Sequence, residues 1–458
     1  MNKKQVEFTM NDQGNAKVFL DRFGHELRRV HAKKCWYEWD GKRWVRDDSG
    51  NAGAFRRADK LISDWVASED RDLSDWGLKC GSTARINALL EFASMSEEVS
   101  ATPDDLDRDP LVLNTLSGIV NLRSGEVTPH NRLEMCTKMC PFEVAESSSD
   151  SPVWDKFLAD ITLGDKSLEA SLLSWLGYCL TGLTSQQKFA MGIGKGRNGK
   201  STLAALMAKL MGDYAGDMPT QFLLTSKIEK PTSGLEVLRG KRFVVAEEPD
   251  RKRDLDREFI KRFISGEPMQ VAQKFERPYD MAISAKLFLM ANHKPQVEFD
   301  FAFSRRVLVF PFEHSVPEHE VNLRLLDELL EEAPAILRSL VDACVLQQRS
   351  GLAVSEKMSE ALSAYQDDFD PAQAFLDECC IVDEFGSVSS TKFLKAYNGW
   401  AGENNERKVD ARRLKEVMAF KGFTVKRMGN ARLWHYPGVI LRSDDWEATG
   451  GRYDLKDD

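Results

Sequence analysis

The sequence predicts an α/β fold, and three observations predict it. Residues 194–201 fit the spacing G-x-x-x-x-G-K-[ST]. Apolar strand-like runs alternate with helical patterns around that motif. One of those runs, 242–246, ends in two acids, Glu247 and Glu248, about fifty residues after the motif. Strands that alternate with helices imply a parallel sheet whose ligand sits at the C-terminal ends of the strands.

Each element can be justified in turn. Residues 35–44 alternate aromatic and polar side chains around Asp40-Gly41, a hairpin signal. Helical patterns cover 54–67 and 83–92, and 111–122 reads as two strands about Ser117-Gly118, so 1–145 forms a mixed α/β region. The polar stretch 145–152 reads as a linker. After it, Leu168, Leu172, Leu173, Leu176 and Leu180 mark an amphipathic helix leading to a strand at 188–193. The motif follows, then a helix over 201–210 and strands at 242–246, 269–275, 286–291 and 307–312. This core occupies 146–318, and a helical, acidic segment at 319–367 reads as a linker or lid. In the module at 368–448, helices at 387–400 and 410–421 precede a hairpin at 423–436 turning at Gly429-Asn430, the pattern of a winged helix. The tail, 449–458, is expected to lack structure.

Composition narrows the function classes. With 458 residues, 42% hydrophobic and 29% charged, the chain reads as a soluble protein of several domains. Neither a signal-peptide core nor an eighteen-residue apolar run is present, so no membrane is expected and the expected location is cytoplasmic. The pairs Cys136/Cys140 and Cys379/Cys380 lack a second half at zinc spacing, and the histidines form no metal-binding group, so buried reduced thiols are expected. The net charge of −9 excludes a uniformly basic nucleic-acid coat. It is uneven: 386–442 holds twelve Lys and Arg against four acids, leaving −17 for the remainder. One basic module on an acidic body points to one nucleic-acid contact.

The motif residues carry the chemistry. Gly194, Gly196 and Gly199 let the loop wrap so that backbone N–H groups, with those of Lys195, Arg197, Asn198 and Thr202, face phosphates at a helix N-terminus. Lys200 is placed to reach the β- and γ-phosphates of ATP, and Ser201 to hold Mg2+. Glu247 is assigned to the metal and Glu248 to the attacking water. Asn292, at the end of the run 286–291, is a candidate sensor of the γ-phosphate; a turn role fits the same residue. Arg305 and Arg306 precede an apolar strand, where an arginine could reach a neighbouring subunit's phosphates; a surface ion pair is the alternative.

In this order, the loop, the run Arg242 to Glu248, the stretch 261–266, Asn292 with Lys294 and Pro295, and Ser304-Arg305-Arg306 resemble the superfamily 3 helicases. More closely, they resemble the helicase half of phage and plasmid primase-helicases related to the poxvirus one. Residues 37–44 and 109–118 resemble that family's N-terminal helicase-associated region, and 375–441 its C-terminal winged helix. The resemblance implies a P-loop AAA+-like core and a homo-hexameric ring moving 3′ to 5′ on single-stranded DNA with ATP and Mg2+, opening forked DNA in a host cytoplasm. A separate primase or replication initiator is an implied partner. It also implies that a hairpin across 265–281 enters the ring's pore, making Lys274 and Arg277 candidate phosphate contacts. Glu267 stands where the family usually has Asp, and Gln273 where an arginine is common. Primer synthesis is not expected, since the first 35 residues leave no room for a primase domain and Asp105-Leu-Asp107 reads as a loop. Lys426, Arg427 and Arg432 of the wing are candidates for duplex phosphates, with protein docking the alternative. A DNA-translocating or packaging ATPase, or an ATP-binding origin-recognition or loader protein, would share the nucleotide loop.

Overall fold

The computed structural model describes residues 9–226, 232–247, 253–271, 279–297, 299–368, 371–404, 408–428 and 432–442. Its first module runs from helix α1 (Asp12–Phe23) through strands β1 (Leu27–Val30), β2 (Cys35–Trp39) and β3 (Trp44–Arg46) to helices α2 (Ala52–Val66), α3 (Arg71–Cys80) and α4 (Thr83–Ser94) and the short strand β4 (Ser100–Ala101). The Asp40-Gly41 turn forms as the sequence predicts: Gly41 takes φ +98° and the Asp40 carboxylate accepts from the Lys42 and Arg43 N–H groups at 2.7 Å each. Trp39 and Trp44 then pair across the strands with ring centroids 5.7 Å apart. Helix α3 is one the apolar patterning does not announce. It is started by Asp70, whose side chain accepts from the N–H groups of Asp72 and Leu73.

Next come β5 (Val112–Thr115), β6 (Gly118–Asn121) and β7 (Glu126–Thr128), a three-stranded antiparallel sheet, followed by α5 (Pro152–Thr162) and α6 (Lys166–Cys179). Gly118 sits at φ +139° with Thr128 O only 2.1 Å from where a Cβ would stand, so the turn at 117–118 admits glycine alone. Packing does not follow the expected division at 145. Leu113, Val120, Leu122 and Cys140 share one apolar cluster with Trp154, Phe157 and Trp175, whereas α1, α2 and α4 close a separate core around Phe19, Ala58 and Leu89. Asp105 and Asp107 are taken up locally: Asp105 accepts from the Thr102 N–H and hydroxyl, and Asp107 from the Thr137 N–H at 2.7 Å.

The central sheet is built from β8 (Phe189–Ile193), which leads into α7 (Lys200–Met211), then β9 (Ala215–Asp217) and β10 (Phe243–Ala246). After α8 (Arg257–Ser265), the strands β11 (Met269–Val271) and β12 (Tyr279–Met281) pair only with each other. The strand expected at 269–275 is therefore, over Met269–Val271, one leg of a separate antiparallel pair rather than a member of the sheet. The sheet resumes with β13 (Lys286–Ala291), and after α9 (Phe301–Ser304) ends with β14 (Val307–Pro311). All five strands are parallel, in the order β14-β8-β13-β10-β9.

Side chains alternate between two buried faces, as a parallel sheet covered on both sides requires. Ala190, Phe243, Phe288 and Phe310 meet α6 and α7 on one face, while Phe189, Val244, Leu289 and Val309 meet Phe222, Phe263 and Phe303 on the other. Three further helices follow: α10 (Leu325–Glu331), α11 (Ala333–Ser350) and α12 (Glu356–Asp368). The expected linker or lid is in fact core. Ile336, Leu337, Leu340, Val341 and Cys344 of α11 are fully buried against α6, and each such Leu or Ile contributes about 2 kcal/mol.

The last module comprises α13 (Pro371–Cys379), β15 (Cys380–Ser389), α14 (Ser390–Glu403), α15 (Ala411–Phe420), β16 (Lys426–Met428) and β17 (Leu433–Leu441), with its sheet in the order β15-β17-β16. Residues 387–389, expected to begin a helix, instead finish β15, and the Ser389 hydroxyl caps α14 through the Lys392 N–H. The turn at Gly429-Asn430 and the tail at 449–458 lie outside the described residues.

Two cations are buried at the N-terminal end of the central sheet. Arg242, just before β10, donates to the carbonyls of Leu180 and Val112 at 2.8 Å each, and its guanidinium lies 4.5 Å from the Tyr214 ring centroid. Lys286, the first residue of β13, donates to Thr181 O and, at 2.9 Å, to Ser284 O, over the Tyr178 ring. Both thereby satisfy carbonyls just past the C-terminus of α6, where the helix dipole favours positive charge. Burial nevertheless pushes the Lys286 pKa down to about 7.

Candidate functional site

The loop 194–199 leaves β8 at the C-terminal edge of the sheet and enters α7. Its glycines are dictated by contact. A Cβ on Gly194 would stand 2.0 Å from Phe312 O, and one on Gly199, at φ +86°, would stand 2.5 Å from the Ile161 side chain. Arg197 takes φ +62°, a left-handed conformation that costs a non-glycine residue about 1 kcal/mol or more. The Asn198 side chain is buried and donates to Lys195 O at 2.6 Å and Phe312 O at 3.0 Å, tying the loop to the end of β14. Downstream of β14 the chain crosses back over the loop: the Val316 N–H donates to Arg197 O at 3.1 Å, and Arg197 pairs with Glu318 at 3.1 Å.

Lys200, the first residue of α7, is only 4% exposed. Its ammonium donates to Gly194 O at 2.5 Å, Asn198 Oδ1 at 3.0 Å and Asn292 Oδ1 at 3.4 Å. These acceptors are neutral oxygens. Beside it, Ser201 is exposed and Thr202 half-buried in the first turn of the helix. A loop carrying Lys195, Arg197 and Lys200 ahead of a helix N-terminus fits a triphosphate. The Ser201 hydroxyl and the exposed Glu247 are oxygen donors of the kind Mg2+ takes.

The strand order brings further residues to that edge. β13 lies between β8 and β10, so Asn292, after β13, and Glu247, after β10, emerge on the same side of the sheet as the loop. The Gly194 N–H donates to Ala291 O at 3.2 Å, holding the loop's start against the residue before Asn292. Glu248, Lys274 and Arg277 lie outside the described residues; the hairpin base, β11 and β12, is described, and Arg239 stacks on Tyr279 there at 4.9 Å.

Arg305 and Arg306 stand at the other edge. Arg306 O accepts from the Phe189 N–H at 3.0 Å, at the start of β8, about 16 Å along that strand from the loop. The Arg306 guanidinium donates to Ala302 O at 2.5 Å and Gln187 Oε1 at 3.5 Å, and its Nε is buried without a partner among the described residues. Arg305 is exposed, and its carbonyl accepts from Lys188. Neither side chain reaches the loop of its own chain. Lys426 and Arg427 lie exposed on β16, and Arg432, at φ +49°, precedes β17.

Sequence reasoning missed Asn198 as a cross-tie and the buried pair Arg242 and Lys286. For Asn198 the signal was available, as an amide inside a glycine-rich loop. For the buried cations it was not, because the carbonyls of Leu180, Val112 and Thr181 that receive them lie more than sixty residues away.

Residues 16–163 match the family described as D5 N terminal like, and residues 193–306 match a family described as one of unknown function (DUF5906). Among the solved structures similar to the chain is the A form apo structure of the NrS-1 C-terminal region, with TM-score 0.52 and 13% identity over 93% of this chain and 98% of that one. The fold is shared with that region. Two viral proteins are similar in sequence. "Putative helicase L207/L206" of Acanthamoeba polyphaga mimivirus is 23% identical over 326 residues, 65% of this chain and 34% of that protein. "Putative helicase 022R" of Frog virus 3 (isolate Goorha) is 24% identical over 234 residues, 46% of this chain and 24% of that protein. The chain thus spans about a third or less of the length of either relative.

Proposed function

We propose that this chain is an ATP-dependent DNA helicase of a phage, plasmid or other mobile element, working as a hexameric ring that moves 3′ to 5′ on single-stranded DNA. The similarity to two helicase-named viral proteins supports a helicase-like function. The observation that carries the finer reading is the sheet order β14-β8-β13-β10-β9. It sets Lys200, Asn292 and Glu247 on one edge and Arg305 with Arg306 on the other, an arrangement that suits a site completed by a neighbouring copy.

In this reading Lys200 and the loop N–H groups bind and orient the triphosphate, and Ser201 with Glu247 would hold Mg2+, which would supply charge neutralisation. Glu248 orients water, and Asn292 ties the γ-phosphate position to β13. Arg305, exposed, reaches the neighbour's phosphates, while Arg306, fastened to Ala302 and Gln187, fixes the turn that presents it. The hairpin with Lys274 and Arg277 contacts the DNA strand in the pore, and a C-terminal winged helix binds nucleic acid through Lys426, Arg427 and Arg432. A separate primase or initiator is the expected partner.

Unwinding of a forked duplex with a 3′ tail, with Glu248→Gln as control, tests the reading. Wild type should separate the strands with ATP and Mg2+, and the variant should bind ATP yet unwind at least about a hundredfold more slowly. DNA-stimulated ATP turnover without any strand separation would leave a translocase and discard the helicase.

A further inference from the structure

The C-terminal module leaves a tryptophan in solvent where its core ends. Trp434 of β17 is 46% exposed and pairs across the ladder with Arg427 of β16. Side chains two apart on a strand share a face. Tyr436, two residues on, is 2% exposed and packs in the module's core with Phe393 and Met418. Trp434 therefore continues the core-facing row past the last residue the core covers. Two cations from different elements lie over the ring, where an incoming base would exchange with them: the Arg427 guanidinium is 5.1 Å from its centroid, and the ammonium of Lys415, on α15, 5.2 Å. The exposed indole thus carries a positive charge from the helix α15 and another from the strand β16.

A surface that only held phosphates would gain nothing from an exposed indole, whose burial is worth more than that of almost any other side chain. A strand of unpaired nucleotides supplies what both features lack, an aromatic face for the ring and phosphates for the cations. The residues from 386 to 442 carry a net charge of +8 on an otherwise acidic chain, which selects an anionic occupant.

We infer that Trp434, flanked by Lys415 and Arg427, is a stacking platform for an unpaired base of single-stranded nucleic acid, with the two cations holding the phosphates on either side. This rests on the nucleic-acid part of the proposed function and deepens it, because it names the form of nucleic acid the module takes and a residue that senses bases rather than charge.

The test uses the full chain without nucleotide, titrated into a labelled oligothymidylate and into an abasic oligonucleotide of equal length. Wild type should bind the thymidylate more tightly. Trp434→Ala should lose about tenfold on the thymidylate and little on the abasic strand, with Trp434→Phe retaining most of the preference. Arg427→Gln should weaken both and lower the salt slope by about one. Circular dichroism confirms that each variant is folded. Equal wild-type binding to the two strands, or an equal loss on both in Trp434→Ala, overturns the platform. So does unchanged binding with altered self-association by sedimentation, which would make the exposed indole part of a protein-docking surface. If wild type binds neither strand, the nucleic-acid reading of the whole chain falls. If it unwinds forked DNA but shows no base preference, only the assignment of Trp434 falls.

Discussion

The two ends of the central sheet both bury cations, and they hold them differently. At the C-terminal end Lys200 is fastened to a loop carbonyl and two side-chain amides, Asn198 and Asn292, within a loop whose own conformation includes Arg197 and Gly199 at positive φ. At the N-terminal end Arg242 and Lys286 are fastened to main-chain carbonyls of Leu180, Val112, Thr181 and Ser284, on elements fixed by the core. The Asn292 amide can turn toward another partner at the cost of a rotamer; main-chain carbonyls fixed by the core cannot. The first end is built to exchange partners, the second to keep them.

Substitution should separate the two ends. Lys200→Ala is expected to lower ATP turnover by about two to three orders of magnitude, with a smaller fall in the denaturant midpoint than Arg242→Ala gives. A variant that hydrolysed ATP at the wild-type rate would remove Lys200 from the site. Arg242→Ala should do the reverse, destabilising the fold by about 3 kcal/mol in a urea melt, because two buried carbonyls lose their donor and the Tyr214 ring loses its cover. Gly199→Ala should cost less, about 1–2 kcal/mol, since it forces a side chain onto φ +86° and against Ile161. It sharpens the comparison by showing strain at the exchanging end.

A pH dependence probes the N-terminal end without a change in packing at the other. Lys286 has a folded-state pKa of about 7, lowered by burial from 10.5. Between those values the unfolded chain binds the proton that the folded chain releases, so stability rises with pH across that window. Wild type should gain stability relative to Lys286→Met from pH 7 to pH 9; parallel curves would mean that the ammonium stays charged when buried.

Much of this was legible in the sequence, for reasons that differ along the chain. The strand, loop and helix from 188 to 211 could be read because glycine spacing and apolar runs are local signals, and the hairpin at Asp40-Gly41 for the same reason. β9 and β12 could not, being three residues each with no apolar run of their own. Helix α11 was legible as a helix but not as core, since an acidic neighbourhood conceals how deeply its apolar face is covered. Within the candidate site, residue types and order were legible; the separation of Lys200 from Arg305 and Arg306 to opposite edges was not, because it follows from parallel pairing rather than from spacing.

In mechanical terms β13 is a push-rod. Its far end carries Asn292 against Lys200, and its near end begins five residues after the hairpin strand β12 stops at Met281. Six paired residues make a rod about 20 Å long. Hydrogen-bonded to β8 on one side and β10 on the other, it can neither stretch nor slip register without breaking a ladder. A displacement at Asn292 would therefore move β13 as one body, out to Lys286.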